Sequence, residues 1–279
     1  MLHQDGSTHQ WVPEQWWDLI VTMDDATSEI YSAFFVDEEG TMSTFEALSE
    51  VIEVKGLFCA LYADRAGHYW YTPEAGGKVD RDNPTQVGRA LIQLGIELIP
   101  AYSPEARGRS ERMFGTLQKR LPQELRLAGI TTMDEANRFL REVFLPEHNR
   151  LFAIAPEEPG SAFVPFAGDL DDILCIQEER RVNNDNTVRY KGLHPQIPED
   201  RHRHHYVKAK VRVHEYPGPS RRLPRPAAPG HLQRRRNVQG GTRKTGRLNP
   251  LGGPACGEVE SRCAPYHFPT GPTTTEAAN

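Results

Sequence analysis

Three acidic side chains stand where they could bind divalent metal ions: Asp5, Asp64 and Glu111. Asp5 and Asp64 lie in or directly after apolar, strand-like stretches, whereas Glu111 lies at the start of a helical one. A sheet crossed by one helix could bring the three carboxylates together. Hard cations such as Mg²⁺ prefer oxygen ligands, and two ions that share carboxylates can stabilise the attacking and leaving oxygens of a phosphodiester. The three residues therefore predict a magnesium site for phosphodiester chemistry.

The stretches around these residues alternate between strand and helix patterns. Strands are predicted where branched and aromatic residues are separated by turn formers, at residues 1–12, 18–25, 30–36, 57–63 and 97–100. Residues 44–52 and 85–94 have apolar side chains at helical spacing, and a third helix is predicted from Arg109. A capping-box pattern at Thr132 and Glu135 predicts a further helix. Asp64 then falls at the carboxyl end of the fourth strand, where open α/β sheets place their ligands.

Four motifs have the residues and the order of a known catalytic core. They are His3-Gln4-Asp5-Gly6-Ser7-Thr8-His9, Asp24-Asp25-Ala26-Thr27-Ser28-Glu29, Tyr62-Ala63-Asp64-Arg65, and Ile99-Pro100-Ala101-Tyr102-Ser103-Pro104 running into Gly108-Arg109-Ser110-Glu111-Arg112. As a set they make residues 1–215 resemble the DDE transposases and retroviral-type integrases, most closely the transposases of ISNCY-type bacterial insertion sequences.

The resemblance implies a fold and a reaction. The fold is α/β, a ribonuclease H-like mixed five-stranded sheet with flanking helices. Asp5 would contact both of two Mg²⁺ or Mn²⁺ ions, and Asp64 and Glu111 would each complete one coordination sphere. Water would cleave the phosphodiester at the transposon end, and the freed 3′-hydroxyl would attack target DNA. The expected partners are transposon-end and target DNA, with a homo-oligomer of this chain as a further expectation.

Alternatives remain at this point. Asp24 and Asp25 are rival ligands, although their position favours a turn into the next strand. Glu111 could simply be a carboxylate favoured by a helix N-terminus. Asp64 and Glu111 are further apart in sequence than in better-known relatives, and Ala66 replaces a residue that is often basic there. Competing functions are a truncated, inactive remnant that only binds DNA and a ribonuclease H-like nuclease that acts alone.

Charge is divided unevenly along the chain. Residues 1–200 contain 18 basic and 34 acidic residues, and residues 201–279 contain 15 and 4. Phosphate neutralisation by Lys and Arg dominates DNA affinity, so local basic patches must supply the contacts. The residues predicted to contact DNA are Arg107, Arg109, Arg112, Lys119, Arg120, Lys208, Lys210 and Arg212. The last three belong to a segment, residues 207–213, in which apolar and basic residues alternate.

The predicted domains are a catalytic core at residues 1–155, a linker at 156–168, a small antiparallel β-barrel at 169–216 and a disordered basic tail at 217–279. The tail is rich in Pro and Gly and poor in the apolar residues that offset ordering entropy. Cys59 and Cys175 lie in apolar stretches and are predicted to be buried. The chain has no signal-peptide pattern and no apolar run near 18 residues, which predicts a bacterial cytoplasmic, nucleoid-associated protein without a membrane partner.

Overall fold

A computed structural model describes residues 1–74, 77–102, 104–158, 160–197 and 204–217, except for the side chains of residues 104–107 and 109. The strands are β1 Leu2–Val12, β2 Gln15–Asp24, β3 Ile30–Val36, β4 Ala60–Ala63, β5 Glu97–Pro100, β6 Ile176–Arg181 and β7 Lys210–Glu215. The helices are α1 Thr41–Val54, α2 Gln86–Leu94, α3 Pro104–Leu127, α4 Met133–Phe139, the π-helix Leu140–Phe144 and α5 Leu145–Phe152. None of the described helices is long and apolar enough to cross a membrane.

Strands β1 to β5 form one mixed sheet in the order β3-β2-β1-β4-β5. The first three strands are antiparallel, while β4 and β5 are parallel to β1. Helices pack on this sheet, so the predicted mixed five-stranded sheet with flanking helices is confirmed. The order βββαβαβα follows from short turns within the β1–β3 meander and from helical crossovers between the parallel strands.

Each face of the sheet carries its own core, because side chains alternate across a strand. On one face, Leu2 and Leu61 pack with Leu48 of α1 and Leu91 of α2. On the other face, Trp11, Leu19 and Phe35 pack with Leu117 and Leu121 of α3. The helix that contains Glu111 therefore lies across the β1–β3 half of the sheet.

The exposed edge of β3 is covered by two asparagine side chains. Asn137 accepts from the Phe35 N–H at 2.6 Å and donates to the Phe35 carbonyl at 3.0 Å. Asn149 makes the same pair of bonds with Ile30, both at 2.9 Å. These bonds occupy backbone groups that would otherwise be open to another strand.

A π-helix between the two asparagines explains how both face β3. In an uninterrupted α-helix, residues twelve positions apart differ in direction by about 120°. The π-turn at Leu140–Phe144 absorbs about one extra residue, which reduces the difference to about 20°. Pro146 lies two residues after the end of the π-helix, and a wider turn relieves the contact between its ring and the preceding turn of the helix. The π-helix therefore lets the side chains of Asn137 and Asn149 point in nearly the same direction, toward the edge of β3.

The C-terminal unit differs from the predicted barrel. Its described residues form a two-stranded antiparallel sheet, β6 with β7, and isolated bridges at Thr187–Gln196 and Tyr190–Leu193. The predicted alternation is present in β7, where Val211 and Val213 are buried and Lys210 and Arg212 are exposed. The alternating segment at residues 207–213 becomes a strand only at Lys210, because residues 207–208 form a turn with Lys208 at φ 63°.

Other expectations need correction. Helix α3 begins at Pro104 instead of Arg109 and continues through Pro122, so Glu111 is not in its first turn. Cys59 is exposed, since the fourth strand begins only at Ala60, whereas Cys175 is buried.

Within the predicted linker, Val164 pairs with Leu57, a residue that was expected to belong to the fourth strand. The domain boundaries remain predictions. The predicted tail, apart from Pro217, lies outside the described residues.

Candidate active site

Strands β1 and β4 stop pairing just before the predicted metal ligands Asp5 and Asp64. They pair only at Leu2–Leu61 and His3–Tyr62, although β1 continues to Val12. Asp5 is two residues beyond the last pair, and Asp64 directly follows β4. A pocket opens between the strands and is lined by His3, Gln4, Asp5, Tyr62, Ala63, Asp64, Ala101 and Ser110. The structure therefore brings Asp5 and Asp64 to one pocket at the carboxyl end of β4, where β1 and β4 diverge.

Local backbone groups orient both carboxylates. The Gly6 N–H donates to Asp5 Oδ1 at 3.1 Å, and the Ala66 N–H donates to Asp64 Oδ1 at 2.8 Å. Both aspartates are partly buried. These bonds hold one oxygen of each carboxylate in place.

Glu111 is close to this pocket in sequence but does not line it. Its neighbour Ser110 is buried in the pocket wall, whereas Glu111 is exposed. Seven residues later, Gln118 donates to Ser7 of β1 at 2.8 Å. Residues seven apart lie on the same side of an α-helix, so Glu111 shares the side of α3 that contacts β1. In the part of the chain that the structure describes, no three His, Cys, Asp or Glu side chains are placed to hold a metal ion together.

The rival ligands have other contacts. Asp24 Oδ2 accepts from the Thr27 N–H at 3.0 Å and from its hydroxyl at 2.8 Å, as in a turn. Asp25 Oδ1 lies 2.9 Å from His3 Nε2. Neither aspartate lines the pocket. These contacts agree with the interpretation of Asp24 and Asp25 as turn residues.

His3 is a residue of the pocket that the sequence prediction missed. Its ring is buried beside Tyr62, with ring centroids 4.9 Å apart, and it bonds to Asp25. The available signal was its spacing, because residues two apart in a strand share a face and His3 therefore shares the face of Asp5.

Negative charge is concentrated around the buried phenol of Tyr69. Burial raises the pKa of Tyr69 well above its ordinary value, and the carboxylates of Glu39, Asp64 and Asp5 raise it further. Tyr69 is therefore a neutral phenol at physiological pH. The same carboxylates create the negative potential that a bound cation would neutralise.

The residues predicted to contact DNA occupy two regions. Arg112 and Lys119 are exposed on α3, and Lys208, Lys210 and Arg212 are exposed in the C-terminal unit. Lys210 contacts Glu179 at 2.7 Å, and Arg212 donates to Gln177 at 3.3 Å. Arg107 and Arg109 belong to α3, but their side chains lie outside the described structure.

Arg120 has a different environment from its neighbours. Its guanidinium lies over the rings of Phe144 and Phe152, at 5.6 and 5.4 Å from their centroids, and contacts Glu124 at 3.3 Å. These contacts make Arg120 part of the packing between α3 and α5. The spacing of residues along α3 could not predict that Arg120 packs against other side chains while its neighbour Lys119 is exposed.

Two bacterial proteins match this chain in sequence. "Putative transposase y4bF" of Sinorhizobium fredii (strain NBRC 101917 / NGR234) is 36% identical over 217 residues, which are 76% of this chain and 47% of that protein. The transposase for insertion sequence IS1202 of Streptococcus pneumoniae is 30% identical over 192 residues, 69% of this chain and 41% of that protein. The chain thus spans less than half the length of these curated relatives. No protein-family model matches it. The resemblance to insertion-sequence transposases predicted from the motifs is confirmed.

Solved structures of viral integration proteins are similar at low identity. A chain of the simian T-cell lymphotropic virus intasome in complex with PP2A regulatory subunit B56 gamma is 16% identical with a TM-score of 0.44, covering 76% of this chain and 67% of that one. The HTLV-2 integrase catalytic core domain in complex with magnesium is 14% identical with a TM-score of 0.37, covering 51% and 86%. The BIV integrase catalytic core domain is 15% identical with a TM-score of 0.37, covering 54% and 97%. All three TM-scores are below 0.5, so the strand order and orientations given above rest on the structure of this chain alone.

Proposed function

We propose that this chain, a relative of bacterial insertion-sequence transposases, is a metal-dependent core for DNA cleavage and strand transfer. The observation that carries the proposal is the pocket shared by Asp5 and Asp64. Asp5 lies in β1 and Asp64 directly after β4, far apart in sequence, so the pairing of these strands brings them together. The substrates would be the transposon ends and target DNA, acted on by a homo-oligomer in the bacterial cytoplasm.

The donor chemistry fits Mg²⁺ or Mn²⁺. Asp5, Asp64 and Glu111 offer only oxygen ligands, which hard divalent cations prefer. Burial is the main cause of the raised pKa of Tyr69, and the carboxylates of Glu39, Asp64 and Asp5 raise it further, so negative charge lies near this pocket. Bound ions, a pair in this proposal, would supply stabilisation of the charge that develops on the phosphate oxygens.

The residues of the chain have distinct tasks in this proposal. Asp5 and Asp64, oriented by the Gly6 and Ala66 N–H groups, would hold the ions at the fork, the place beyond the His3–Tyr62 pair where β1 and β4 diverge. Glu111 would complete the site by turning from its exposed position toward Asp5, since it lies on the side of α3 that contacts β1. The buried His3 ring and Ser110 form part of the wall that limits where the phosphodiester can lie.

DNA binding is assigned to the exposed basic residues of both regions. Arg112 and Lys119 of α3 would contact backbone phosphates near the pocket, and Lys208, Lys210 and Arg212 would contact phosphates further along the DNA. Arg107 and Arg109 extend the first group. Replacing Arg112 or Lys119 with Ala should weaken plasmid binding and reduce its salt slope by about 1 each.

The test of cleavage uses supercoiled plasmid incubated with the full chain and either Mg²⁺ or Mn²⁺. We expect metal-dependent nicking that is lost in Asp5→Asn, Asp64→Asn and Glu111→Gln. Glu142→Gln, an exposed carboxylate on the π-helix, is the matched control and should nick like the unmodified protein. Plasmid binding without nicking by the unmodified protein would support the DNA-binding remnant. Equal nicking by Asp64→Asn would exclude the proposed site.

A further inference from the structure

The hydrogen bonds of the sheet do not set the distance between Asp5 and Asp64. The last β1–β4 pair is His3–Tyr62, and both aspartates lie beyond it. A metal site needs its ligands held in place by surrounding residues, because small displacements of ligands weaken binding. Other contacts must therefore connect β1 to the segment after β4.

The segment that follows Asp64 is anchored in the core. The N–H groups of Tyr69 and Trp70 both donate to the Ala66 carbonyl at 3.0 Å, which closes a tight turn. Tyr69 and Trp70 are buried in the core shared by α1 and α2. The His68 ring packs on Tyr69 at 4.1 Å between centroids, so its position is fixed relative to Asp64.

Glu39 connects this segment to β1. Its Oε1 lies 3.5 Å from His68 Nε2. The same carboxylate covers Gly6, the residue after Asp5: a Cβ added to Gly6 would lie only 2.3 Å from Glu39 Oε2. The Glu39 N–H also donates to Asp18 of β2 at 2.7 Å, which fixes the backbone of Glu39 to the sheet. Glu39 therefore contacts both sides of the fork on the face opposite α3.

We propose that Glu39 and His68 are positioning residues that hold the fork between β1 and β4 at the width the metal site requires. The inference rests on the proposed function, since it concerns the same two aspartates. Glu39 acts through its shape and its contacts with Gly6 and His68, and it does not itself contact the ions. The absence of a side chain at Gly6 leaves the space that the Glu39 carboxylate occupies.

Gly6 provides an unusually specific test of this arrangement. It lies in an extended strand, so its backbone does not require glycine. Alanine at this position keeps the N–H that bonds to Asp5, and the three atoms nearest to its methyl group would all belong to the movable end of the Glu39 side chain. Gly6→Ala should therefore displace the Glu39 carboxylate and reproduce the effect of Glu39→Ala. In a protein that already carries Glu39→Ala, Gly6→Ala should have no further effect.

The experiment measures Mn²⁺ dissociation constants by electron paramagnetic resonance on the full chain, so it does not depend on activity. We expect Glu39→Ala, His68→Ala and Gly6→Ala each to weaken binding by about 10-fold or more, the scale found for residues that support metal ligands. Glu39→Gln keeps the shape and should stay within about threefold of the unmodified protein. Glu38→Ala, an exposed neighbour, is the control. Thermal unfolding of every variant separates loss of positioning from loss of folding.

Each outcome has a distinct meaning. Equal weakening by Glu39→Gln and Glu39→Ala would overturn the inference, because charge instead of position would then be responsible. Equal effects of Gly6→Ala with and without Glu39 would also overturn it. Mn²⁺ binding that is unchanged in Asp5→Asn and Asp64→Asn would instead refute the proposed function itself.

Discussion

The bonds between Asn137 and the backbone of Phe35 give a prediction with a definite magnitude. Asn137→Ala removes both bonds, at 2.6 and 3.0 Å, and leaves polar groups of the buried residue Phe35 without a partner. An unsatisfied buried donor or acceptor costs about 1–3 kcal/mol. We therefore expect the free energy of unfolding to fall by about 2 kcal/mol, which corresponds to about 4–8 °C in Tm for a chain of this size.

Urea denaturation of the full chain, followed by circular dichroism, measures this loss. Arg138→Ala changes the exposed neighbour on the same helix and should cost less than about 0.5 kcal/mol. Asn149→Ala should cost as much as Asn137→Ala, because it removes the equivalent pair of bonds to Ile30. Opening the β3 edge should also increase light scattering during unfolding. A loss below about 0.5 kcal/mol for Asn137→Ala would refute the role of these side chains in capping the strand edge.

Two further predictions concern stability away from the pocket. Burial, and to a smaller extent the charge of Arg120, lowers the pKa of His148 to about 4. Between pH 6.5 and 4 the unfolded chain therefore binds more protons than the folded chain. The free energy of unfolding should fall by up to about 1.4 kcal/mol per pH unit as the pH decreases through that window. His148→Leu should lack this component, and identical pH profiles of unfolding would contradict it. The Gln86 side chain bonds to both backbone groups of Gln177, at 2.9 and 3.0 Å, so Gln86→Ala should cost about 1–2 kcal/mol and speed hydrogen exchange at the Gln177 amide. Unchanged exchange there would show that this contact does not fix the C-terminal unit to α2.

The amino-acid sequence determined the elements that depend on near neighbours. The strands Ile30–Val36 and Glu97–Pro100 have the predicted bounds, and Thr85 and Thr132 cap the helices that follow them. The position of Asp64 at the pocket was also predictable, because open α/β sheets place their ligands beyond the carboxyl end of a parallel strand. Local periodicity, capping chemistry and strand direction are sufficient for these results.

Tertiary structure alone decided how distant side chains meet. The Glu39 carboxylate over Gly6 and the Arg120 guanidinium over Phe144 join residues that no local pattern connects. The same holds for the asparagines on the β3 edge, whose common direction depends on a π-turn between them. Sequence spacing specifies the face of an element on which a residue lies. Which side chain that residue contacts depends on how the helices and strands cross in the folded protein and on where each of them ends.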